Sequence, residues 1–596
     1  MTGSPSEVYS LALEERLSLV EGSRRLSARI AYLRLVVALV GAALVGSVLV
    51  PRVLSWPWLL APVAVFAIAA RIHDRVLRRQ SRAERGARFY ERGLARIHDR
   101  WAGGGSAGEE HLDPRHPYAS DLDLFGRASL FELLSTARTR SGEKTLASWL
   151  LSPARPDEVR ARQEAVRELR SRLDLREDLS VLGEDVRSGV DTDGLIAWAS
   201  APPVLEAGLQ VGVGAALALV NVTTLALFLA AVHGSGPFLL ASAASAVFVR
   251  VYRRRALQVL RAVERPAAEL RILAETLKRL ERESLRAPLL ERLAAALRDA
   301  MTPASRRIAQ LARLSEWNES RRNQIFAPVA SLFLLGTQLA FALERFRAAS
   351  GGSVKRWVDA VGAMEALGSL AAFAYEHPED PFPEILERGP AFDARGLGHP
   401  LLPIGRSVRN DVTMGNGAHL LMVSGSNMSG KSTLLRSVGV NTVLALAGAP
   451  VRASSLRLSP VQVGACMRVQ DSLAEGTSHF YAEIQRLRDL VDLGQRGELP
   501  LLFLLDEILH GTNSHDRRVG AEALVRGLLD RGAIGLVTTH DLALAGIAED
   551  LAPRAINVHF EDHLEGDRVV FDYRLKPGVV KKGNALALMR AIGLDV

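Results

Sequence analysis

A chain of 596 residues exceeds what one hydrophobic core accommodates, so several domains are expected. Its 74 lysines and arginines against 66 aspartates and glutamates leave a net charge of +8, which permits nucleic acid or anionic lipid as a partner but demands neither. The single cysteine, Cys466, excludes a disulfide framework or a cysteine metal cluster, and the charged, helix-patterned start does not read as a cleavable signal peptide.

In chain order, the first 30 residues read as a charged helix. Two uncharged apolar runs follow, Leu35 to Val50 and Trp56 to Ala70, separated by Pro51-Arg52 and a few more residues. A second pair, Leu209 to Val232 and Pro237 to Val249, is joined by His233-Gly234-Ser235-Gly236. The third run is long enough to cross a bilayer, and the others need flanking apolar residues to do so. Short connectors rich in proline and glycine suit tight helical hairpins. Arginines cluster at the open ends: Arg24, Arg25, Arg29 and Arg34 before the first run, Arg71, Arg75, Arg78 and Arg79 after the second, and Arg250, Arg253, Arg254 and Arg255 after the fourth. The positive-inside rule then predicts a multi-pass protein of the cell (inner) membrane, touching the lipid bilayer through two hairpins whose tips point outward. The competing reading is four buried core helices of a large soluble protein. Between and beyond the hairpins, Leu257 to Leu280 and Leu289 to Leu314 are amphipathic, with Pro266 and Pro303 expected to kink or split them and Arg286-Ala287-Pro288 marking a turn. A fifth apolar run, Ile325 to Leu343, contains Pro328 and Gln338 and reads as a core helix.

The chemistry lies in the last third. After the strand-like Leu420-Leu421-Met422-Val423 comes Gly425-Ser426-Asn427-Met428-Ser429-Gly430-Lys431-Ser432-Thr433, a complete GxxxxGK[ST] phosphate loop leading into a helix. Its glycines let successive N–H groups face the phosphates of a nucleoside triphosphate, and a helix N-terminus adds favourable field. Lys431 is expected on the β- and γ-phosphates and Ser432 on Mg2+. The apolar run Leu501 to Leu505 ends in Asp506-Glu507, which places two acids at the carboxyl end of a strand. Asp506 is expected to hold Mg2+ and Glu507 to orient or deprotonate the attacking water. Ile534 to Thr539 is another buried-strand pattern, and His540 at its end is a candidate sensor of the γ-phosphate.

In this order, the phosphate loop, Ser478-His479-Phe480-Tyr481-Ala482-Glu483, the stretch Asp506 to Asp516, and Thr538-Thr539-His540 resemble the ATPase domain of the MutS mismatch-repair family. The family's GPNMGGKST is matched through the Asn427-Met428 pair. Its STFxxE is matched by Ser478, Phe480 and Glu483, and its DEIGRGTSTxDG by Asp506, Glu507, Gly511, Thr512 and Asp516. Leu124-Phe125 through Trp149-Leu150, Pro153 and Arg162-Gln163 resemble the start of the family's core domain. Asn410 and His399-Pro400 resemble its lead-in to the nucleotide site, and Gly583 to Ala587 its closing helix.

The resemblance implies a multidomain protein with a mostly helical N-terminal half that holds a MutS-like core, and a C-terminal α/β P-loop ATPase domain of the ABC type. The two transmembrane hairpins come from the hydropathy pattern and not from the resemblance, and the second interrupts the core. The resemblance further implies ATP and Mg2+ as cofactors, a homodimer whose closure brings Ser478 to the partner's γ-phosphate, and double-stranded, mismatched DNA as a partner. Neither an N-terminal mismatch-reading domain nor a C-terminal nuclease is expected. The alternative is a membrane mechanoenzyme that couples ATPase dimerisation to an unknown protein partner without DNA. A transporter ATPase ranks below both, because an LSGGQ-type signature is missing. The expected domains are a charged helix over 1–30, hairpins over 31–71 and 206–252, an amphipathic linker over 72–119, a core over 120–205 and 323–389, a lever-like helical pair over 253–322, and the ATPase domain over 390–596.

Overall fold

Two long helical rods open the chain. The structure, a computed structural model, describes residues 3–49, 56–183, 192–206, 208–262, 267–298, 302–324, 326–426, 428–468, 479–565 and 568–580. Helix α1 (Pro5–Leu49) runs through the expected border at residue 30, and α2 (Leu60–Ile97) runs from the second apolar run through the arginine-rich segment. Leucine, alanine and arginine are strong helix formers, and Pro62 sits in the first turn of α2, where its missing N–H costs nothing. The rods lie side by side. At their base Tyr9, Phe89 and Tyr90 are buried together. Toward their tip Leu35, Leu39, Trp58, Val63 and Ile68 are exposed.

A helical body follows. Helices α3 (Leu130–Leu134), α4 (Arg140–Leu151), α5 (Pro156–Arg170), α6 (Leu173–Gly183) and α7 (Thr192–Ser200) are short. The hydroxyl of Thr139 caps α4 by accepting from the Gly142 N–H at 3.0 Å, and Pro156 opens α5. Helices α8 (Leu209–Leu229) and α9 (Gly236–Ala262) form the second apolar pair. Next come α10 (Ala267–Glu281), α11 (Pro288–Leu297) and α12 (Ala304–Ser320). Pro303 immediately precedes α12 and Pro288 begins α11, so prolines divide this segment as expected, while Pro266 lies outside the described residues. Helix α10 packs along α12.

The fifth apolar run splits between α13 (Ala327–Leu332) and α14 (Leu335–Glu376). The 42-residue α14 is the spine of the body, touching α2, α4, α5, α7, α9, α11 and α12. Among the described residues, three helices are long and apolar enough to cross a bilayer: α1, α8 and α14. Their apolar windows differ in setting, with 89% of that in α14 buried inside the protein against 6% in α1 and 17% in α8. Leu339, Ala340, Phe341 and Leu343 are interior, so α14 is a core helix. The return arms α2 and α9 are not among the three. Between α8 and α9, Asn221 Nδ2 donates to Ser245 Oγ at 2.6 Å, a polar clasp inside an otherwise apolar pair.

The C-terminal part is α/β. A small mixed sheet contains β1 (Glu384–Ile385), β2 (Phe392–Leu397), β3 (Asn410–Met414) and β5 (Ser455–Leu458), in the order β1-β5-β2-β3. The main sheet contains β4 (Leu420–Ser424), β6 (Gln462–Cys466), β7 (Leu501–Asp506), β8 (Ile534–Thr539), β9 (Ala555–Glu565) and β10 (Arg568–Pro577). Its order is β10-β9-β4-β8-β7-β6, parallel throughout except for the edge strand β10. Helices α15 (Lys431–Ala447), α16 (His479–Arg496), α17 (Ser514–Leu529) and α18 (Leu542–Asp550) cover it. Every residue of β4 is buried, and α15 is interior on nearly all sides, wedged between the sheet and helices α4 and α5 of the body.

Candidate functional site

Strand β8 lies between β4 and β7, so the loop after β4 and the acids after β7 open onto the same carboxyl edge of the sheet. The loop closes into α15 at Gly430, whose φ of +104° is one that a side chain would strain, and a Cβ there would come within 3.2 Å of the Tyr573 ring. Lys431 is buried and folds back. Its Nζ donates to the carbonyls of Gly425 and Ser426, each at 2.9 Å, and stands 3.3 Å from Glu507 Oε1. The Ser426 and Ser429 hydroxyls are buried and meet no partner among the described residues. Unpartnered donors beside a glycine-bearing turn and an ammonium suit a phosphate chain.

The acids are aimed by the neighbouring strand. Thr538 Oγ1 donates to Asp506 Oδ1 and accepts from the Glu507 N–H at 3.1 Å. Glu507 takes a φ of +49°, so the chain turns sharply directly after β7. Its two carboxylate oxygens face different imidazoles, with Oε1 3.3 Å from His540 Nδ1 and Oε2 3.4 Å from His510 Nε2. Burial raises the Glu507 pKa, but Lys431 and His540 outweigh it and hold the carboxyl below its usual range. Burial pushes the His510 imidazole down.

Phe480 and Glu483, from the stretch that resembles STFxxE, support this turn. Glu483 Oε1 accepts from the Leu509 N–H at 2.5 Å, and a Cβ on Gly511 would lie 2.6 Å from the Cβ of Phe480. Leu509 has a φ of +59° and stands where the DEIGRGTST pattern carries glycine.

A cavity of about 880 Å3 opens beside Lys431, Asp506 and Glu507. Lys431, Ser432, Thr433, Met428, Asp506 and Glu507 line one side, and His399, Val408, Asn410 and Tyr573 the other. Asn410 lines it with both ends of its amide engaged by β10: Nδ2 donates to the Tyr573 carbonyl at 3.0 Å and Oδ1 accepts from the Leu575 N–H at 2.8 Å. Its described role is therefore to hold the strand that carries Tyr573. Asn427 and Ser478 lie outside the described residues, as do residues 583–587.

Four residues of the site carry no role assigned from the sequence. Thr538 was legible in principle, since it pairs with Asp506 across parallel strands in register. His510 was visible only as a neighbour of Glu507. His399 was visible only beside Pro400 in the stretch that resembles the family's lead-in to the nucleotide site, and Tyr573 reaches the cavity from β10 with no local signal.

Comparison with known proteins adds to this geometry. The family model described as MutS domain III matches residues 119–493, and that described as MutS domain V matches residues 421–595. A protein named DNA mismatch repair protein MutS 2 from Halobacterium salinarum is 32% identical over 239 residues, which is 39% of this chain and 27% of that protein. One named endonuclease MutS2 from Thermus thermophilus is 31% identical over 251 residues, 42% of this chain and 32% of that protein. The DNA mismatch repair protein MutS of Thermosynechococcus vestitus is 31% identical over 295 residues, 46% of this chain and 32% of that protein. The matched portion thus spans about a third or less of the length of these relatives. With the domain III match alone covering more than half of its residues, the chain belongs to the MutS family.

Proposed function

We propose that this protein is a membrane-anchored ATPase with a MutS-type motor, which binds ATP with Mg2+, closes as a homodimer and acts on DNA. The observation that carries the ATPase part is that Glu507 stands 3.3 Å from both Lys431 and His540, beside a cavity that Lys431 and Glu507 line. The buried, unpartnered Ser426 and Ser429 hydroxyls fit a bound phosphate chain. Lys431 would leave its two carbonyl partners for the phosphates, which releases Glu507 to orient or deprotonate water. Ser432 and Asp506 would hold Mg2+, whose contribution is to neutralise phosphate charge. His540 would report the γ-phosphate through its contact with Glu507, and Ser478 would act across the dimer. Tyr573 and Val408 offer apolar surface to a base on the far side of the cavity.

DNA binding is supported by the family and by the names of the relatives. Membrane anchoring is supported by the exposed apolar tip of α1 and α2 and by the exposed α8, with the cytoplasm expected for the ATPase domain. A second reading, a membrane mechanoenzyme acting on a protein partner, is favoured by the continuity of the rods. Helix α2 runs unbroken from the apolar tip to Arg96, which is ion-paired with Glu376 at the end of the spine α14.

The test is DNA binding by the detergent-solubilised chain, with matched and mismatched duplexes, with and without ATP, across a salt series. Mismatch-preferring, ATP-responsive binding supports the first reading. Absence of salt-sensitive binding, with ATP turnover intact, selects the second.

A further inference from the structure

We infer that His510, His540 and Glu507 form a binding site for a divalent transition-metal ion of the zinc class, distinct from the Mg2+ position expected at Ser432 and Asp506. One ligand atom from each residue lies within 4.8 Å of the other two. The carboxylate-to-imidazole separations are 3.3 Å and 3.4 Å. Ligands about 2.0–2.1 Å from a tetrahedral ion stand about 3.3 Å apart. The two separations run to different oxygens of Glu507, so an ion shared by all three residues requires the carboxylate to chelate or rotate and the imidazoles to close in. The three residues come from the ends of adjacent parallel strands, with Glu507 and His510 on the turn after β7 and His540 after β8. That turn is pinned by Glu483 and Phe480, so the ligands are pre-positioned on a supported scaffold.

The donor set chooses the ion. Two imidazoles with one carboxylate favour zinc-class metals, whereas Mg2+ and Ca2+ take oxygen ligands. The imidazoles remain 37% and 43% exposed, which leaves an entry path and an open coordination position for water. His510 departs from the DEIGRGTST pattern, which carries arginine at that position.

An ion held there would occupy the carboxylate that activates water, while Lys431, Ser432 and the loop stay free to bind nucleotide. Zinc would therefore arrest turnover without displacing ATP. This inhibitory half rests on the ATPase reading; the metal site does not.

The probe is Co2+, titrated into the nucleotide-free, full-length protein in detergent and followed by its visible ligand-field absorption. The expected result is one zinc-displaceable Co2+ per chain. His510→Gln and His540→Gln should each lose the band, while His98→Ala, an exposed histidine on the N-terminal rods, should retain it. A parent protein without a zinc-displaceable band overturns the site, as does a band unchanged in His510→Gln. Because these readouts need no nucleotide, the parent titration still decides the matter if a variant misfolds. In the coupled assay zinc should lower ATP turnover at least about tenfold at constant nucleotide binding, and unchanged turnover with the band present overturns the inhibitory half. A cobalt band in a protein with no ATP turnover under any condition supports the metal site and defeats the ATPase reading.

Discussion

Lys431 and Glu507 stand 3.3 Å apart, the ammonium of the phosphate loop against the carboxylate that follows β7. The contact ties the loop after β4 to the turn after β7. On the proposed ATPase reading, a phosphate chain that drew Lys431 away would free Glu507 at the same moment, linking binding and activation through one pair.

Glu507→Gln should bind ATP and hydrolyse it about 10²–10⁴-fold more slowly, the range for loss of a positioned general base. Fluorescent-nucleotide binding together with phosphate release measures both. Turnover near the parent rate would remove Glu507 as the water-activating residue.

Asp121 ties the helical body to the α/β part. It is fully buried, and it accepts from the N–H groups of Met467 and Arg468 at 3.1 and 2.8 Å and from Arg486 at 2.5 Å. Asp121→Ala leaves three donors without their acceptor and should cost about 2–4 kcal/mol. Denaturant unfolding checks this, and a cost below about 0.5 kcal/mol would show the clamp to be dispensable.

At the base of the rods, Arg96 and Glu376 form a two-pronged pair, with both contacts at 2.6 Å and both side chains buried. Tyr9 of α1 donates to the same carboxylate at 3.3 Å. Glu376→Met alone strands a buried guanidinium and should cost about 3–5 kcal/mol, much of it recovered when Arg96→Met is added. Thermal unfolding of the two single variants and the double variant supplies the cycle. Additive losses would show that the pair is not coupled.

His399 and His377 are held neutral by burial and, second, by Arg436 and Arg452 respectively, each down to about 4. An unfolded histidine titrates near ~6.5, so between these values the unfolded chain binds the extra protons. Stability is intact above about pH 6.5 and is lost as pH falls toward 4, by up to roughly 3 kcal/mol per histidine. Unfolding midpoints between pH 7.5 and 5 should fall less steeply in His399→Gln than in the parent. Equal slopes would refute the assignment.

Leu39 and Val63 are exposed on the rods, so in water aspartate there should change stability by less than about 0.5 kcal/mol. In a bilayer each aspartate costs about 2.5–3.5 kcal/mol near the centre of a span. Leu39→Asp with Val63→Asp should therefore shift the protein out of the membrane fraction if the tip inserts. Unchanged partitioning would place the tip outside the bilayer.

Much of the site was legible because its chemistry is local. Gly425 through Thr433 and Asp506-Glu507 each carry their spacing within a short stretch of sequence, and the structure brings Met428, Gly430, Lys431, Ser432 and Thr433 to one crevice with Asp506 and Glu507. The proline breaks at Pro288 and Pro303 were legible for the same reason, since a missing N–H acts on its own helix. The borders expected at residues 30 and 71 were drawn where charge density changes. Helix continuity does not follow charge, and α1 and α2 run through both.

The sequence by itself determined the phosphate loop, the paired acids, the alternation of buried strands and helices that builds the parallel sheet, and the family resemblance. These depend on residue type at short spacing. The tertiary structure alone decided that the apolar stretch of α14 is interior while those of α1 and α8 are not, since hydropathy reads the same whether the surrounding medium is protein or lipid. It also decided that Asn410 holds a strand, and that His510 and His540 share one carboxylate. Those relationships join residues far apart in the chain, and only packing brings them together.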